Sequence, residues 1–322
     1  MADIKFLMHR HRFFRALGLT LALAALLLGA CKEKPASPPE KAGRLFHAAA
    51  TETSGLAPSR RTPELLWIHN DSKGQPVLYA IGTDGRLRGT LRVEGVKNID
   101  WEDIASFELD GQSWLLIADT GDNNGKRKDC SLLVVAEPDP SQLSTTQELT
   151  TKVAWRTPVA YPDAAHDCEA VAVDAREEKV YLFTKRTTPP VVYSLPLRKP
   201  VSGAVAPAEL VARLAHVPQP NSRQKVLPMP SGRFRAFVTG ADFAGDLSAA
   251  TVLTYGDVLL FPRRPGESWA VALSRPPLVL DPHGLPQAEA ICFSKDSRAI
   301  YVTGERKDPA LLRYSLRDRR PE

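Results

Sequence analysis

Glu102, Glu169 and Glu289 each open a short apolar run: "EDIASF", "EAVAVD" and "EAICFS". Two further runs open the same way on hydroxyls, "SGLAPS" at Ser54 and "TGADFA" at Thr239. After each comes a second apolar run with a polar ending: "LLWIHND", "WLLIADT", "VYLFTKR", "ATVLTYG" and "AIYVTGE". From the leading residue to His69, Ala118, Thr184, Thr254 and Thr303 the intervals are 15, 16, 15, 15 and 14 residues. Carboxylate and hydroxyl oxygens gathered without His or thiolate suit a hard cation, Ca²⁺ ahead of Mg²⁺. Three carboxylates aimed at one axis repel unless they are protonated or bound to such an ion. The competing expectation is a water-filled channel whose acids bond to neighbouring backbone amides.

The elements that would position these side chains follow from the repeat. Each unit offers a third run ("VLYAIGTD", "SLLVVAEPD", "VVYSLPL", "VLLFPRR", "LLRYSLRD"), and most a fourth ("TLRVEGV", "TKVAWRTPVAY", "ELVARLAHV", "WAVALS"). Four short strands per unit at a period of roughly fifty residues predict an all-β fold, a five-bladed β-propeller. The count becomes six if 130–165 hides a degenerate unit. The last unit lacks a fourth strand, which "RLFHAAAT" (44–51) is expected to supply, closing the ring. First strands line the channel of a propeller, so Ser54, Glu102, Glu169, Thr239 and Glu289 are expected at one mouth as metal ligands. The polar ends of the second strands would surround them, with Asp71, Asp119, Lys185, Arg186 and Arg306 forming a rim able to hold a small anionic ligand.

The N-terminus is set aside from the fold. Lys5, Arg10, Arg12 and Arg15 precede an uncharged stretch, Ala16 to Ala30, short of the roughly 20 residues of a membrane span. It ends Leu28-Gly29-Ala30-Cys31, which resembles the lipobox of bacterial lipoproteins. The resemblance implies a signal peptide over 1–30, cleavage before Cys31 and acylation (palmitate among the chains) of Cys31. Lys32 in place of Asp favours an outer-membrane anchor with the body in the periplasm. Residues 31–43 are Pro-rich and read as a tether, leaving 44–322 as one propeller domain. The chain is +5 overall, but residues 1–30 carry four Lys/Arg and one Asp, so the remainder is about +2. That balance argues against a nucleic-acid partner. The expected partners are the membrane, through the lipid, and an envelope protein or small anionic ligand.

The heads "E-[AGD]-[ILV]" together with "HNDS", "DWEDIA", "ADTGDN" and "AEP" resemble bacterial propellers related to phytase-like and esterase-like propellers. That resemblance implies Ca²⁺ at Glu102, Glu169 and Glu289. Against the phosphate chemistry of such enzymes, the basic rim is sparse. Two functions follow: a binding or scaffold module at the envelope, or a Ca²⁺-dependent hydrolase of a phosphate ester or other small ester. Glycoside hydrolysis ranks third, with only Trp101 and Tyr255 to stack a sugar. "DTGDNNG" (119–125) reads as a polar turn rather than an EF-hand loop, because Gly121 takes its third position and no Glu closes it. Cys130 and Cys168 fall near the mouth on adjoining units and are expected to form a disulfide in an oxidising compartment. Cys292 reads as a buried small hydrophobe.

Overall fold

Apolar runs of five to ten residues, separated by Gly, Pro and Asp turns, leave little choice but short antiparallel strands. The computed structural model describes residues 36–45, 51–72, 74–198 and 207–316, all within one compact unit, Pro35–Glu322. The signal peptide, Cys31 and the first residues of the expected tether lie outside the described residues.

The chain enters through β1 (Glu40–Arg44). A first meander follows: β2 (Thr53–Pro58), β3 (Leu65–Asn70), β4 (Val77–Gly82) and β5 (Leu87–Glu94). The second comprises β6 (Trp101–Leu109), β7 (Gln112–Asp119), β8 (Ser131–Ala136) and β9 (Leu149–Pro158). The third is β10 (Cys168–Asp174), β11 (Lys179–Thr184), β12 (Val191–Pro196) and β13 (Glu209–Arg213). Two short helices, α1 (Ser222–Lys225) and α2 (Pro230–Arg233), interrupt the passage to β14 (Val238–Phe243), β15 (Ala249–Thr254) and β16 (Val258–Pro262). Helix α3 (Trp269–Ser274) precedes β17 (Leu278–Val279), and the chain ends in β18 (Ala288–Phe293), β19 (Ala299–Gly304) and β20 (Ala310–Ser315).

These strands form three four-stranded sheets and one of eight, in which the first two meanders meet edge to edge through a parallel pairing of β5 with β9. The first strands touch in cyclic order: β2 against β6, β6 against β10, β10 against β14, β14 against β18, and β18 against β2. The hydrophobic core is divided accordingly into clusters that lie between successive sheets. Second strands are buried on both faces, which explains their unbroken apolar sequences. The result is an all-β, β-propeller-like fold. Between 130 and 165, the place for a sixth unit, lie β8 and β9 of the second meander.

Two expectations about fourth strands are corrected. "WAVALS" is the helix α3, not a strand. Its buried residues are Trp269, Ala272 and Leu273, a helical spacing, and Ser268 caps it by accepting the Val271 N–H. The Trp269 ring stacks on Phe243 at 3.7 Å, and its Nε1 donates to Asp174 Oδ2 at 2.8 Å. The closing strand is β1, which overlaps the expected segment only at Arg44 and otherwise lies inside the expected tether. β1 pairs antiparallel with β20, and an Arg313–Glu40 ion pair of 2.8 Å joins them. Ala36 makes a further bridge to Leu316. Pro-rich composition concealed this strand. Gly43 permits it, since a Cβ there would lie 1.9 Å from the carbonyl oxygen of Asp84.

Candidate cation site

The five leading residues share one backbone device. In every first-to-second strand pairing the register slips by one residue at the same place, leaving Ser54, Glu102, Glu169, Thr239 and Glu289 unopposed. Such a β-bulge turns the extra residue out of the pleat and re-aims its side chain. The near-constant interval in the sequence is the spacing from this bulge to the end of the partner strand.

The bulged residues do not act alike. Ser54 Oγ donates to the Glu102 carbonyl at 2.7 Å, and Thr239 Oγ1 to the Ala288 carbonyl at 2.8 Å. Each hydroxyl stitches its strand to the next. The three glutamates keep their carboxylates for the mouth and are all buried. Acids two residues upstream join them, Asp100 ahead of Glu102 and Asp167 ahead of Glu169. Two sets of carboxylates, Asp71–Asp100–Glu102 and Glu102–Asp167–Glu169, each place one oxygen per residue within 4.8 Å of the others. Glu102 belongs to both.

Lys185 is the internal cation of this cluster. Its ammonium lies 2.9 Å from Glu169 Oε2 and 5.2 Å from the centre of the Tyr255 ring. Burial works against its charge, yet Glu169 and Glu289 hold its pKa well above the ordinary lysine range. Tyr255 OH donates to Glu289 Oε1 at 2.8 Å, while Glu289 Oε2 is buried with no partner. Gln287 Nε2 donates to both Glu289 and Glu305. Burial, followed by the charges of Glu169 and Asp71, pushes Glu102 well above the usual carboxylate range. Burial also lifts Glu289 to about 8 despite Lys185, Glu305 to about 7 and Asp100 to about 6. One ammonium does not neutralise this many acids. They must hold protons or another cation.

The expected rim divides. Arg186 Nε pairs with Asp167 Oδ2 at 2.6 Å, and Asp119 pairs with Arg127 at 2.8 Å. Asp71 stands in the acid cluster rather than around it. Arg306 is exposed, with no carboxylate partner among the described residues. The 119–125 segment is a turn, as its sequence indicates. Asp122 spends both oxygens on the N–H groups of Lys126 and Arg127, each at 2.8 Å. Trp101 is fully buried against His69 and offers no sugar platform.

The expected disulfide is absent: Cys130 and Cys168 are both free and buried. Their sulfurs point to different carbonyls, Cys130 Sγ to Thr120 and Cys168 Sγ to Ala170. Burial pushes the two thiols up to about 11 and about 12. Cys292 is buried, as expected.

Beneath the mouth lies a carboxylate that sequence reasoning passed over. Next to the bulge, four units have Gly55, Ala170, Gly240 and Ala290, and the second has Asp103. Its carboxylate accepts from the backbone N–H of Ile104 (2.8 Å), Val171 (2.9 Å) and Ala241 (3.4 Å), tying three first strands together. The signal was four small residues against one acid at equivalent positions. Asp100 and Asp167 were equally visible as a D-x-E repeat, "DWE" and "DCE".

No protein-family profile matches this chain, and no curated protein matches its sequence. Among solved structures it is similar to a luciferin-regenerating enzyme, at 9% identity and TM-score 0.43, over 86% of this chain and 94% of that one. It is also similar to a chain of a nidogen/laminin complex, at 13% identity and TM-score 0.41, over 81% of this chain and 74% of that one. At such scores neither likeness carries a functional assignment. The fold rests on the strand pairing itself.

Proposed function

We propose that this protein is a lipid-anchored binding module of the bacterial envelope, a five-bladed propeller with a calcium ion at its mouth. The blade count takes the eight-stranded sheet as two blades joined at their outer edges. The observation that carries the cation is the sharing of Glu102 between two carboxylate sets while Lys185 faces only part of the cluster. An all-oxygen donor set favours calcium, and the resemblance to phytase-like and esterase-like propellers points the same way. Binding ranks ahead of phosphate-ester hydrolysis because Lys185 and Arg186, the cations such an ester needs, already face Glu169 and Asp167.

Calcium should raise the melting temperature of the metal-stripped protein, by the equivalent of about 2.7 kcal/mol at a hundredfold excess over the dissociation constant. Glu102→Gln should blunt the response far more than Asp122→Asn, whose oxygens serve the turn. A melting curve indifferent to calcium, magnesium and manganese would sink the cation site.

Anchoring has its own test. Cys31→Ser should abolish incorporation of labelled palmitate and shift the protein out of the detergent phase or leave an uncleaved precursor. Unchanged lipidation in that variant would remove the anchor.

A further inference from the structure

From Leu210 to Ala241 the chain contains no acidic residue and five Lys/Arg: Arg213, Arg223, Lys225, Arg233 and Arg235. The middle of this segment, between β13 and β14, carries the most exposed apolar group of the described residues. Val226 is 81% exposed, and Leu227 and Met229 are 42% and 48% exposed. Arg223, Lys225 and Arg233 stand exposed around them and pair with no carboxylate among the described residues.

This tip has a built shape. Asn221 and Gln224 form a reciprocal cap on α1, with the side chain of each bonded to the other's backbone N–H at 3.0 Å. Gly232 packs so closely on Leu227 that a Cβ there would meet the Leu227 Cβ at 2.6 Å. Pro228 and Pro230 fix the backbone on either side of Met229. The base of the segment is fastened beside the mouth. Arg235 pairs with Asp257 at 2.5 Å, and the Tyr255 N–H donates to the Phe237 carbonyl at 3.2 Å. Tyr255 is the residue that holds Glu289.

We infer that this segment is a docking surface for a protein segment carrying acidic residues around an apolar anchor. Arg233 lies over the Phe234 ring at 4.7 Å, yet it, Arg223 and Lys225 have no carboxylate partner among the described residues. The acid-free stretch therefore supplies charge complementarity to such a partner, which steers encounter and fixes register. Val226, Leu227 and Met229 supply the contact that water must leave. A tip entering a bilayer would favour Trp or Tyr at the interface, and the exposed run Lys225–Met229 has neither. A preorganised shape serves recognition of another shaped surface, because little ordering remains to be done on binding. The inference extends the binding-module reading by naming where the partner docks.

The test places the photoreactive residue benzoylphenylalanine at Val226 of the full chain, in cells that process its leader. The same residue at Gln112, exposed at the start of β7, is the control. The expected result is a discrete crosslink into an acid-rich protein segment, identified by peptide mass spectrometry. Its yield should fall about tenfold or more when Arg223, Lys225 and Arg233 are changed to Glu. All three are exposed, so the melting temperature and its calcium response should not move, which keeps this failure distinct from failure of the cation site. Adducts confined to lipid, adducts to a second copy of the chain, a yield indifferent to charge reversal, or labelling no higher than at Gln112 would each overturn the inference.

Discussion

Lys185→Met should destabilise the metal-free protein by about 3–5 kcal/mol in urea denaturation, the usual cost of leaving one partner of a buried ion pair uncompensated. The side chains of Lys185 and Glu169 are only 9% and 4% exposed, so water cannot screen the loss. Without the ammonium, Glu289 and Glu102 would be driven further toward their protonated forms, since Lys185 is what favours their charged forms. Adding Glu169→Gln to Lys185→Met should recover most of the stability, because the amide removes the orphaned charge and keeps the shape. The single variant should also respond to calcium more strongly than the parent, since a fixed positive charge no longer competes for the same oxygens. A loss below about 1 kcal/mol, typical of exposed pairs, would show that Lys185 does not hold the acid cluster together.

Without metal, the protein should be more stable near pH 5.5 than near pH 8.5. Glu289 has its pKa raised to about 8 in the folded state, against 4.5 for the ordinary group. The folded chain therefore binds a proton that the unfolded chain releases, and stability falls as pH rises through that interval. Glu305, raised to about 7, and Asp100, raised to about 6, act in the same direction. Burial holds His69 and His283 at about 4 in the folded state, which opposes the trend below about pH 6.5. At about 1.36 kcal/mol for each tenfold change in proton affinity, the net loss is therefore a few kcal/mol and falls mainly above about pH 6.5. Glu289→Gln should flatten the upper part of the curve. Saturating calcium should reverse the trend, because the ion binds the charged carboxylates and competes with protons. Denaturation midpoints across this range, with and without calcium, check both signs. Stability that rises with pH above about 6.5 in the metal-free protein would contradict the protonated cluster.

The bulged residues were legible because each fell at a nearly fixed distance from a polar strand end, a spacing imposed by hydrogen-bond register rather than by residue type. Their chemistry was less so. Ser54 and Thr239 occupy the same bulge as the glutamates, yet a short hydroxyl reaches only the neighbouring carbonyl and is consumed there. Lys185 was visible as a strand-end cation, but not that its amine turns inward to Glu169, since a long side chain can reach either way from one backbone position. Asp103 escaped notice because burial makes an acid improbable unless several N–H groups converge on it, and that convergence exists only in the closed ring. The helix α3 escaped because six residues show too little period to separate a helix from an alternating strand. Cys130 and Cys168 share one core cluster, yet both stay free thiols, each facing a different carbonyl.

The pairing of β1 with β20 spans 273 residues between Glu40 and Arg313. Among the described residues, the first strand in chain order is thus completed by the last. Until β18–β20 have been made, β1 has no ladder partner and the opening face of β2 has no neighbour, so an apolar surface and an unpaired strand edge stand open throughout synthesis. Contacts of such long range slow folding, and unpaired edges invite pairing with other chains. This topology therefore favours closure of the ring only after β20 has been made, over folding strand by strand.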